Sequence, residues 1–381
     1  MKKPLHKETA VLEHGLEIDP ATGALAPPIH LSTTFERDPD GEYPRGYVYT
    51  RNENPNREAL ERSMASLEGA AGAMAFGSGM AAATALLITL SPGDHVLLPD
   101  DSYFQVRAIF EAVFTRWGLD HTVVDMSRLQ EVEAALRPRT RLIWMETPSN
   151  PCLKIVDLKA LAGLAQEIGA MTVCDNTWAT GVLQRPLELG VEASLLSTTK
   201  YIAGHHDVLG GVVAIRAGSD LLDRLRTVQK LAGAVPSPFD CWLTLRGVQT
   251  LPLRIKAQTE TAGVLARFLE GHPAVEKVFY PGLASHPGHD LAAAQMEGFG
   301  AMLSILVKGG QKEALAVTGR AEVITRATSL GGTHTLIEHR ASLEGEDSPT
   351  PRNLLRISVG LEHPEDLMAD LDRALKLDRT P

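Results

Sequence analysis

Two apolar segments of the chain end in residues that could hold a reactive cofactor. Lys200 closes the run Ser197-Thr198-Thr199-Lys200, and Asp175 follows another apolar run. A lysine amine can form a Schiff base with an aldehyde, and a carboxylate can pair with a protonated pyridine nitrogen. If these residues end a strand, the side chains of Ser197 and Thr199 point to the same face, and their hydroxyls could bind a phosphate. Taken singly, Lys200 could instead be an exposed lysine after a strand, and Asp175 could be a helix cap or a solvated loop acid.

Three other positions fit the same kind of ligand. Gly79 and Met80 stand in a glycine turn before an apolar helical segment. Free backbone N–H groups and the positive end of a helix dipole would favour a phosphate there. Tyr103 follows a predicted strand, so its ring could stack on a pyridine ring. Alternatively, the glycines at Gly79 form only a tight turn, and Tyr103 is a tyrosine of the hydrophobic core.

Arginines stand at two places where an anion is expected. Arg356 lies inside the apolar segment LLRISVG. Burying an unpaired guanidinium is costly, so Arg356 needs either a substrate carboxylate or a structural salt bridge. Tyr49 and Arg51 lie in a proline-rich stretch, where the planar fork of arginine could bind a phosphate. A surface charge is the alternative for Arg51.

Strands that alternate with helices must position these residues. Short apolar runs ending in polar residues alternate with helical stretches, which predicts right-handed crossovers and a mainly parallel sheet. Ligands bind at the carboxyl ends of such strands. The predicted strands are DHVLLPD, RLIWMETPSNP, AMTVCDNTW and ASLLSTTKY, and the predicted amphipathic helix is NREALERSMASLEGA.

Three segments are expected along the 381 residues. Residues 1–55 are rich in proline and predict an extended N-terminal arm that packs on another surface. Residues 56–245 predict the large α/β domain with the parallel sheet. Residues 246–381 predict a smaller C-terminal α/β domain, beginning with a long helix and containing the strands VEKVFYPGL, GAMLSILVKG and NLLRISVGLE.

Composition argues against several other classes of protein. The net charge is −10 and basic residues form no cluster, which argues against nucleic-acid binding. The 13 histidines show no metal-ligand spacing and the three cysteines no paired framework, so we expect no metal and reduced thiols. The first residues lack the apolar segment of a signal peptide, and no apolar run is long enough to span a membrane. We therefore expect a cytoplasmic protein.

The ordered motifs resemble the Cys/Met-metabolism family of pyridoxal 5′-phosphate (PLP) enzymes, which includes cystathionine γ-synthase, γ-lyase and β-lyase. The matching segments are YVYTRNENPN, FGSGMAA, ETPSNP, CDNTWAT, STTKYIAGHHDVLGG, LRGVQTL, SLGG and LLRISVGLE. The resemblance implies the α/β architecture of PLP-dependent fold type I. It also implies PLP as cofactor and a lyase or transferase of transsulfuration, within methionine and cysteine metabolism.

The resemblance also implies a role for each candidate site residue. Lys200 and Tyr103 would be catalytic, with Lys200 carrying the Schiff base. Cofactor binding would involve Gly79, Met80, Tyr103, Asp175, Ser197, Thr199 and Lys200, together with Tyr49 and Arg51. Tyr49 and Arg51 would reach the site of the neighbouring subunit, which implies a homo-oligomer with shared active sites, usually a tetramer built as a dimer of dimers. An amino-acid substrate would contact Asn150, Arg356, His334 and Thr335.

Several residues depart from the family pattern near the substrate side chain. His334 and Thr335 replace a glutamate and a serine of the usual SLGG-x-E-S-L, and Phe104 and Gln105 replace small residues after Tyr103. Gln105 stands where methionine γ-lyases carry a cysteine, which argues against that activity. We expect γ-elimination or γ-replacement on a cystathionine-like or O-acylhomoserine-like amino acid. The alternatives are a cystathionine β-lyase and a γ-lyase for an amino acid with a non-thioether side chain.

Overall fold

The computed structural model describes residues 5–13, 18–346 and 348–376. Residues 1–4 and 14–17 of the predicted arm, and residues 347 and 377–381 of the predicted C-terminal domain, lie outside this described part. No described helix is both long enough and apolar enough to cross a lipid bilayer.

Within the described residues, a seven-stranded and mainly parallel sheet forms the centre of the larger part of the chain. Its strands are β1 (Gly72–Phe76), β2 (His95–Pro99), β3 (Asp120–Val124), β4 (Thr140–Glu146), β5 (Met171–Asp175), β6 (Ala193–Leu196) and β7 (Gly211–Ile215). Their spatial order is β1-β7-β6-β5-β4-β2-β3, and only β7 runs antiparallel to its neighbours. The predicted α/β class is confirmed, and the four predicted strands correspond to β2, β4, β5 and β6.

Helices precede, connect and follow these strands, and several of them pack on the sheet. They are α1 (Lys7–Glu13), α2 (Pro55–Glu68), α3 (Gly79–Ile88), α4 (Phe104–Ile109), α5 (Thr115–Trp117), α6 (Leu129–Ala135), α7 (Leu158–Ile168), α8 (Thr180–Leu183), α9 (Leu221–Ala232) and α10 (Pro238–Val248). Helix α2 begins after Asn54, whose side chain accepts backbone N–H bonds from the first turn. Leu60, Met64 and Leu67 form its buried face, so the predicted amphipathic helix is confirmed.

A second, smaller sheet of five strands lies in the described C-terminal part. Its strands are β8 (Val275–Phe279), β9 (Met302–Val307), β10 (Thr325–Arg326), β11 (Leu336–His339) and β12 (Leu354–Ser358). The spatial order is β10-β11-β12-β9-β8, and only β10 and β11 are parallel. The helices here are α11 (Leu251–Glu270), α12 (His289–Gln295), α13 (Gln311–Arg320), α14 (Arg340–Glu344) and α15 (Pro364–Leu375). Strands β8, β9 and β12 are the three that the apolar runs predicted.

The long helix expected near residue 245 is divided in two. Helix α10 ends at Val248, and α11 begins at Leu251 and continues for 20 residues. Pro252 stands in the first turn of α11, where its missing backbone N–H breaks no helical hydrogen bond. In the interior of one continuous helix the same proline would remove a hydrogen bond, so the helix is interrupted before it. The predicted boundary between residues 245 and 246 lies inside α10, which packs against α2 of the larger part.

The described part of the arm is mostly irregular and is attached by polar contacts. The Asn56 side chain accepts a hydrogen bond from the His30 backbone N–H at 2.8 Å and donates one to the Pro28 carbonyl at 2.8 Å. The Trp242 indole N–H donates to the Pro27 carbonyl at 3.0 Å. These bonds order a proline-rich segment that forms little secondary structure of its own.

Candidate active site

The carboxyl ends of β4, β5 and β6 open into a cavity of about 560 Å³. Residues from the C-terminal part, including Arg356 of β12, form another of its sides. The parallel strands end at one edge of the sheet, so residues far apart in sequence meet there. The predicted site residues that line the cavity are Gly79, Met80, Tyr103, Asn150, Asp175, Ser197, Thr199, Lys200 and Arg356.

Lys200 lies half-buried in the turn after β6. Its Nζ donates a hydrogen bond to Ser329 Oγ at 3.0 Å. Burial, followed by the positive charge of Arg356, lowers the pKa of Lys200 to about 8. An amine with this pKa is partly neutral near physiological pH, so Lys200 can serve as a nucleophile or a base.

Two buried carboxyl groups lie side by side at the ends of β5 and β4. Asp175 is paired in register with Glu146, and both line the cavity. Burial raises the pKa of Asp175, and hydrogen bonds from Thr177 and the charge of Lys200 oppose this effect. Burial and the negative charge of Asp175 raise the pKa of Glu146 well above its ordinary value. Burial and charge repulsion therefore favour the protonated form more strongly at Glu146 than at Asp175.

Ser197 and Thr199 lie in a turn and not, as expected, on one face of a strand. Strand β6 ends at Leu196, one residue before them. The Thr199 hydroxyl donates to the Gly210 carbonyl at 3.2 Å and lies 3.0 Å from the Gly210 nitrogen, whose N–H it accepts. Both side chains nevertheless reach the cavity, because the turn curls back over the sheet edge.

The start of α3 approaches this turn closely. A Cβ atom on Gly79 would lie 3.0 Å from the Cβ of Ser197 and 3.1 Å from its Oγ, so glycine permits the approach. The Ser78 hydroxyl caps the helix by accepting the Ala81 N–H at 3.0 Å. The N–H groups of Gly79 and Met80 belong to the first turn and have no acceptor within the helix. With the helix dipole they form a suitable site for a phosphate.

Tyr103 is fixed at the cavity by hydrogen bonds at both ends. Its backbone N–H donates to Glu146 Oε2 at 2.8 Å, and its hydroxyl donates to Gln105 Oε1 at 2.8 Å. Burial raises the pKa of the hydroxyl, while the positive charges of Arg340 and Arg356 oppose that change. The ring therefore lies against the cavity with its proton retained at neutral pH.

Arg356 is buried, lines the cavity and already has a carboxylate partner. Its Nη2 forms an ion pair with Glu338 of β11 and donates to the Ser329 carbonyl at 3.1 Å. Its Nη1 donates to Asn150 Oδ1 at 3.0 Å. Burial lowers the pKa of Arg356 to about 10, and Glu338 opposes that shift. The structural salt bridge that the sequence offered as an alternative is therefore present, between Arg356 and Glu338, and the Arg356 side chain also lines the cavity.

Tyr49 and Arg51 do not line the cavity of their own chain. The Tyr49 side chain is 43% exposed, and the Arg51 guanidinium carbon lies 5.5 Å from the centre of its ring. The pair thus forms an exposed contact on the arm. Its predicted role in a neighbouring subunit stays a prediction.

His334 and Thr335 also lie outside this cavity. His334 borders an adjoining cavity that is lined by His206 and Thr199 as well. Thr335 is buried, and its hydroxyl donates to Glu362 at 2.6 Å and accepts the Gly360 N–H at 2.8 Å. Their predicted contacts with substrate stay predictions.

The residues at or beside the cavity that were not predicted as site residues include Glu146, Ser329, Glu338 and Arg340. Glu338 and Arg340 are charged residues in or directly after an apolar strand, the same signal that indicated Arg356. Ser329 has φ of 87°, in the left-handed region that is rare for residues other than glycine. A serine in the sequence does not indicate that its backbone is in this region, so the sequence carried no signal for Ser329.

Comparison with known proteins identifies the family. The family model described as Cys/Met metabolism PLP-dependent enzyme matches residues 8–376. Cystathionine gamma-synthase of Mycobacterium tuberculosis is 47% identical over 96% of this chain and 96% of its own. Cystathionine beta-lyase of Coxiella burnetii is 42% identical over 98% of each. A crystal structure of metB from Corynebacterium glutamicum, 44% identical, has a TM-score of 0.95 and covers 98% of this chain and 99% of that one.

The chain therefore belongs to the Cys/Met-metabolism family of PLP-dependent enzymes. The predicted family, fold class, enzyme class and cofactor are confirmed. The cavity residues fit PLP in charge and position, since the Asp175 carboxyl group and the first residues of α3, Gly79 and Met80, all line the cavity. Across the described ranges, no group of three or more His, Cys, Asp or Glu side chains could hold a metal ion.

Proposed function

We propose that the protein catalyses γ-elimination or γ-replacement on a cystathionine-like or O-acylhomoserine-like amino acid. Family membership already makes it a PLP-dependent enzyme of sulfur amino-acid metabolism. The observation that carries the γ assignment is the 47% identity to a cystathionine gamma-synthase, against 42% to a cystathionine beta-lyase. Gln105, in place of the cysteine of methionine γ-lyases, argues against that activity.

The ends of β5 and β6 and the start of α3 hold PLP in this proposal. Asp175 would hold the pyridine nitrogen, and Tyr103 would contact the pyridine ring. The phosphate would be bound by the N–H groups of Gly79 and Met80, by the Ser197 hydroxyl and, once it releases the Gly210 carbonyl, by the Thr199 hydroxyl. Bound PLP withdraws electrons from the substrate carbon that carries the amine, which makes the proton on that carbon acidic.

Lys200 anchors the cofactor and then moves protons. With a pKa of about 8, its Nζ is neutral often enough to take the proton from the substrate α-carbon. Its hydrogen bond to Ser329 Oγ, 3.0 Å long, orients the amine beside the guanidinium of Arg356. The Tyr103 hydroxyl is the second group at the cavity that can give and recover a proton.

Asn150 and Arg356 bind the substrate α-carboxylate. The ion pair with Glu338 fixes Arg356 before substrate arrives, so little ordering is needed on binding. Asn150 uses Oδ1 to accept from Arg356, which leaves its amide NH₂ group to donate to a carboxylate oxygen. The α-carboxylate then lies between a charged and a neutral donor.

A cystathionine β-lyase is the second candidate, because a relative of that name is 42% identical over 98% of each chain. The keto acid released from L-cystathionine separates the two, since γ-cleavage gives 2-oxobutyrate and β-cleavage gives pyruvate. O-Succinylhomoserine and O-acetylhomoserine, each with and without cysteine, then separate replacement from elimination. Pyruvate as the main product would overturn the γ assignment. Neither a keto acid nor cystathionine from any of these, with the visible absorbance of PLP intact, would favour a γ-lyase for a different amino acid with a non-thioether side chain.

The lowered pKa of Lys200 predicts how the cofactor-free protein takes up PLP. Only the neutral amine reacts with an aldehyde, and with a pKa of about 8 its fraction rises about tenfold from pH 7 to 9 and then levels off. A lysine with an ordinary pKa near 10.4 would show a rise of about a hundredfold without a plateau. Stopped-flow absorbance measures the rate, with N-acetyl-lysine methylamide as reference. A rate that still climbs steeply above pH 9 would contradict the lowered pKa.

Arg51 is expected to stabilise PLP in the site of a neighbouring subunit. Arg51→Ala should weaken PLP binding about 10- to 100-fold, because a charge-assisted hydrogen bond contributes about 1.5–3 kcal/mol. Titration of the cofactor-free protein with PLP measures the effect. Arg45→Ala, which removes an exposed charge from the same arm, is the matched control and should change little.

Mixed oligomers test whether Arg51 acts between subunits. Chains with Arg51→Ala and chains with Lys200→Ala are co-expressed with different tags, and the hybrid is purified through both. If Arg51 serves the partner, the one site of the hybrid that keeps Lys200 also has a native Arg51, and its activity should need no more PLP than the native enzyme does. If Arg51 serves its own chain, that site lacks Arg51, and its activity should need as much PLP as Arg51→Ala does.

A further inference from the structure

Arg254 is a buried arginine of α11 that the proposed function does not use. It is 6% exposed and forms no ion pair with any carboxylate in the described ranges. Burial alone lowers the pKa of its guanidinium to about 10. Burying a cation without a carboxylate is costly, so other contacts must compensate for the loss of water.

The guanidinium of Arg254 binds the backbone directly after Lys200. Its Nη1 donates to the Tyr201 carbonyl at 2.8 Å, and its Nη2 donates to the Ile202 carbonyl at 3.2 Å. Nη2 also donates at 2.8 Å to the Gly247 carbonyl, which lies in the last turn of α10. The guanidinium therefore joins the turn after β6 to the junction between α10 and α11.

The turn that Arg254 holds has free carbonyls at its C-terminal end. The Lys200 carbonyl accepts the Gly204 N–H at 2.8 Å, which closes the turn. The next two carbonyls, of Tyr201 and Ile202, accept no backbone N–H from the described part of the chain, because no helix continues there. A planar guanidinium can bind two adjacent acceptors at once, so Arg254 replaces the missing backbone donors.

Two glycines leave the space that this arrangement needs. Gly204 has φ of 76°, and a Cβ atom on it would lie 2.1 Å from Arg254 Nη1. A Cβ atom on Gly247 would lie 2.3 Å from the Ala203 carbonyl oxygen, so the turn packs directly against the backbone of α10. Movement of the turn therefore requires Arg254 to move as well.

We propose that Arg254 is a positioning residue for Lys200: by fixing the two carbonyls that follow this lysine, it holds Nζ at Ser329 Oγ inside the cavity. The inference rests on the proposed role of Lys200 as the anchor of PLP, and it holds for whichever substrate the enzyme takes. Without Arg254 the turn relaxes, and the amine gains contact with water and moves away from Arg356.

This movement changes the titration of Lys200. Burial and the positive charge of Arg356 are the two main causes that lower the pKa of Lys200, so the pKa should rise when both weaken. The titratable groups that face Lys200 are Asp175 of β5, His206 after the turn, Glu338 of β11, Arg340 of α14 and Arg356 of β12. A substitution of Arg254 alters none of them.

The rate at which the cofactor-free protein takes up PLP tests the inference at two pH values. A rise of about one unit in the pKa of Lys200 lowers its neutral fraction about tenfold at pH 7 but less than about twofold at pH 9.5. Arg254→Met should therefore lose about tenfold in rate at pH 7 and keep at least about half of its rate at pH 9.5. Arg320→Met, which removes an arginine that donates to the Ala374 carbonyl of α15, is the matched control and should change neither rate.

Two milder variants separate position from charge and from folding. Arg254→Lys keeps the charge but lacks the planar fork, so it should lose about threefold at pH 7, whereas a direct effect of charge would leave it at the native rate. Thr250→Val removes the hydroxyl that accepts the Nε N–H at 3.2 Å, and it should show the same pH-selective loss even if Arg254→Met does not fold. Losses that are equal at both pH values, or absent from Arg254→Lys and Thr250→Val, would overturn the inference.

Reduction with borohydride followed by peptide mass spectrometry shows which lysine holds PLP. PLP on Lys200 without a pH-selective loss in the variants would overturn the inference and leave the proposed function intact. A pH-selective loss in an enzyme that forms no γ-product from any substrate would support the inference and contradict the proposed function. PLP on another lysine would overturn both the inference and the role proposed for Lys200.

Discussion

Replacing Lys200 with alanine should lower kcat for keto-acid release by at least about 10³-fold. A positioned general base contributes about 10²–10⁴-fold on its own, and Lys200 is also the proposed anchor of the cofactor. The expectation depends on the lowered pKa of about 8, which leaves the amine partly neutral where an ordinary lysine is almost fully charged. Steady-state assays with saturating PLP and the preferred substrate measure the loss.

Two companion variants show whether the loss comes from the missing base. Lys200→Arg keeps the positive charge but cannot lose a proton at any relevant pH, so it should be as inactive as Lys200→Ala. Added small primary amines should restore part of the activity of Lys200→Ala and none of Lys200→Arg. Lys312→Ala, an exposed lysine on α13, is the surface control. Activity of Lys200→Arg within tenfold of the native enzyme would exclude the role as base.

The strands that position the site could be predicted because of how they are buried. Parallel central strands are covered on both faces and read as continuous apolar runs, as in β2 and β4. Strand β3 lies at the sheet edge and is largely exposed, so Asp120 and His121 interrupt any such run. Strand β10 has only two residues, which is too short for a periodic pattern. Weak burial explains why β3 and β10 were missed, but it does not explain β7 and β11, which were not predicted although they are buried along their whole length.

The cofactor end of the candidate site could be predicted better than the substrate end for a similar reason. Asp175 and Lys200 lie at or just after strand ends, and strand ends can be located from local sequence. The contact between Arg356 and Glu338 depends on the register of β12 against β11, which pairs these two residues directly. That register follows from packing across the whole C-terminal sheet and leaves no local signal.

Asp175→Asn should lower kcat about 10²- to 10³-fold although it hardly changes the shape of the side chain. Removing one partner of a buried charge pair costs about 3–5 kcal/mol, and the proposed partner here is the protonated pyridine nitrogen of PLP. Without the carboxylate, the nitrogen loses its proton more readily and the ring withdraws electrons less strongly. The cofactor itself should remain bound, since the phosphate site at Gly79 is unchanged. The measurements are kcat at saturating PLP and the PLP dissociation constant.

Glu146→Gln separates the charge of Asp175 from the general effect of altering a carboxyl group in the cavity. Burial and the neighbouring charge of Asp175 hold the pKa of Glu146 well above its ordinary value, which favours its uncharged form. An amide mimics that state and can still accept the Tyr103 N–H, which Glu146 now accepts at 2.8 Å. Glu146→Gln should therefore reduce kcat by less than about tenfold, and the exposed control Asp290→Asn should have no effect. Equal losses at Asp175 and Glu146 would mean that the two carboxyl groups share one charge, and that Asp175 is not the sole partner of the pyridine nitrogen.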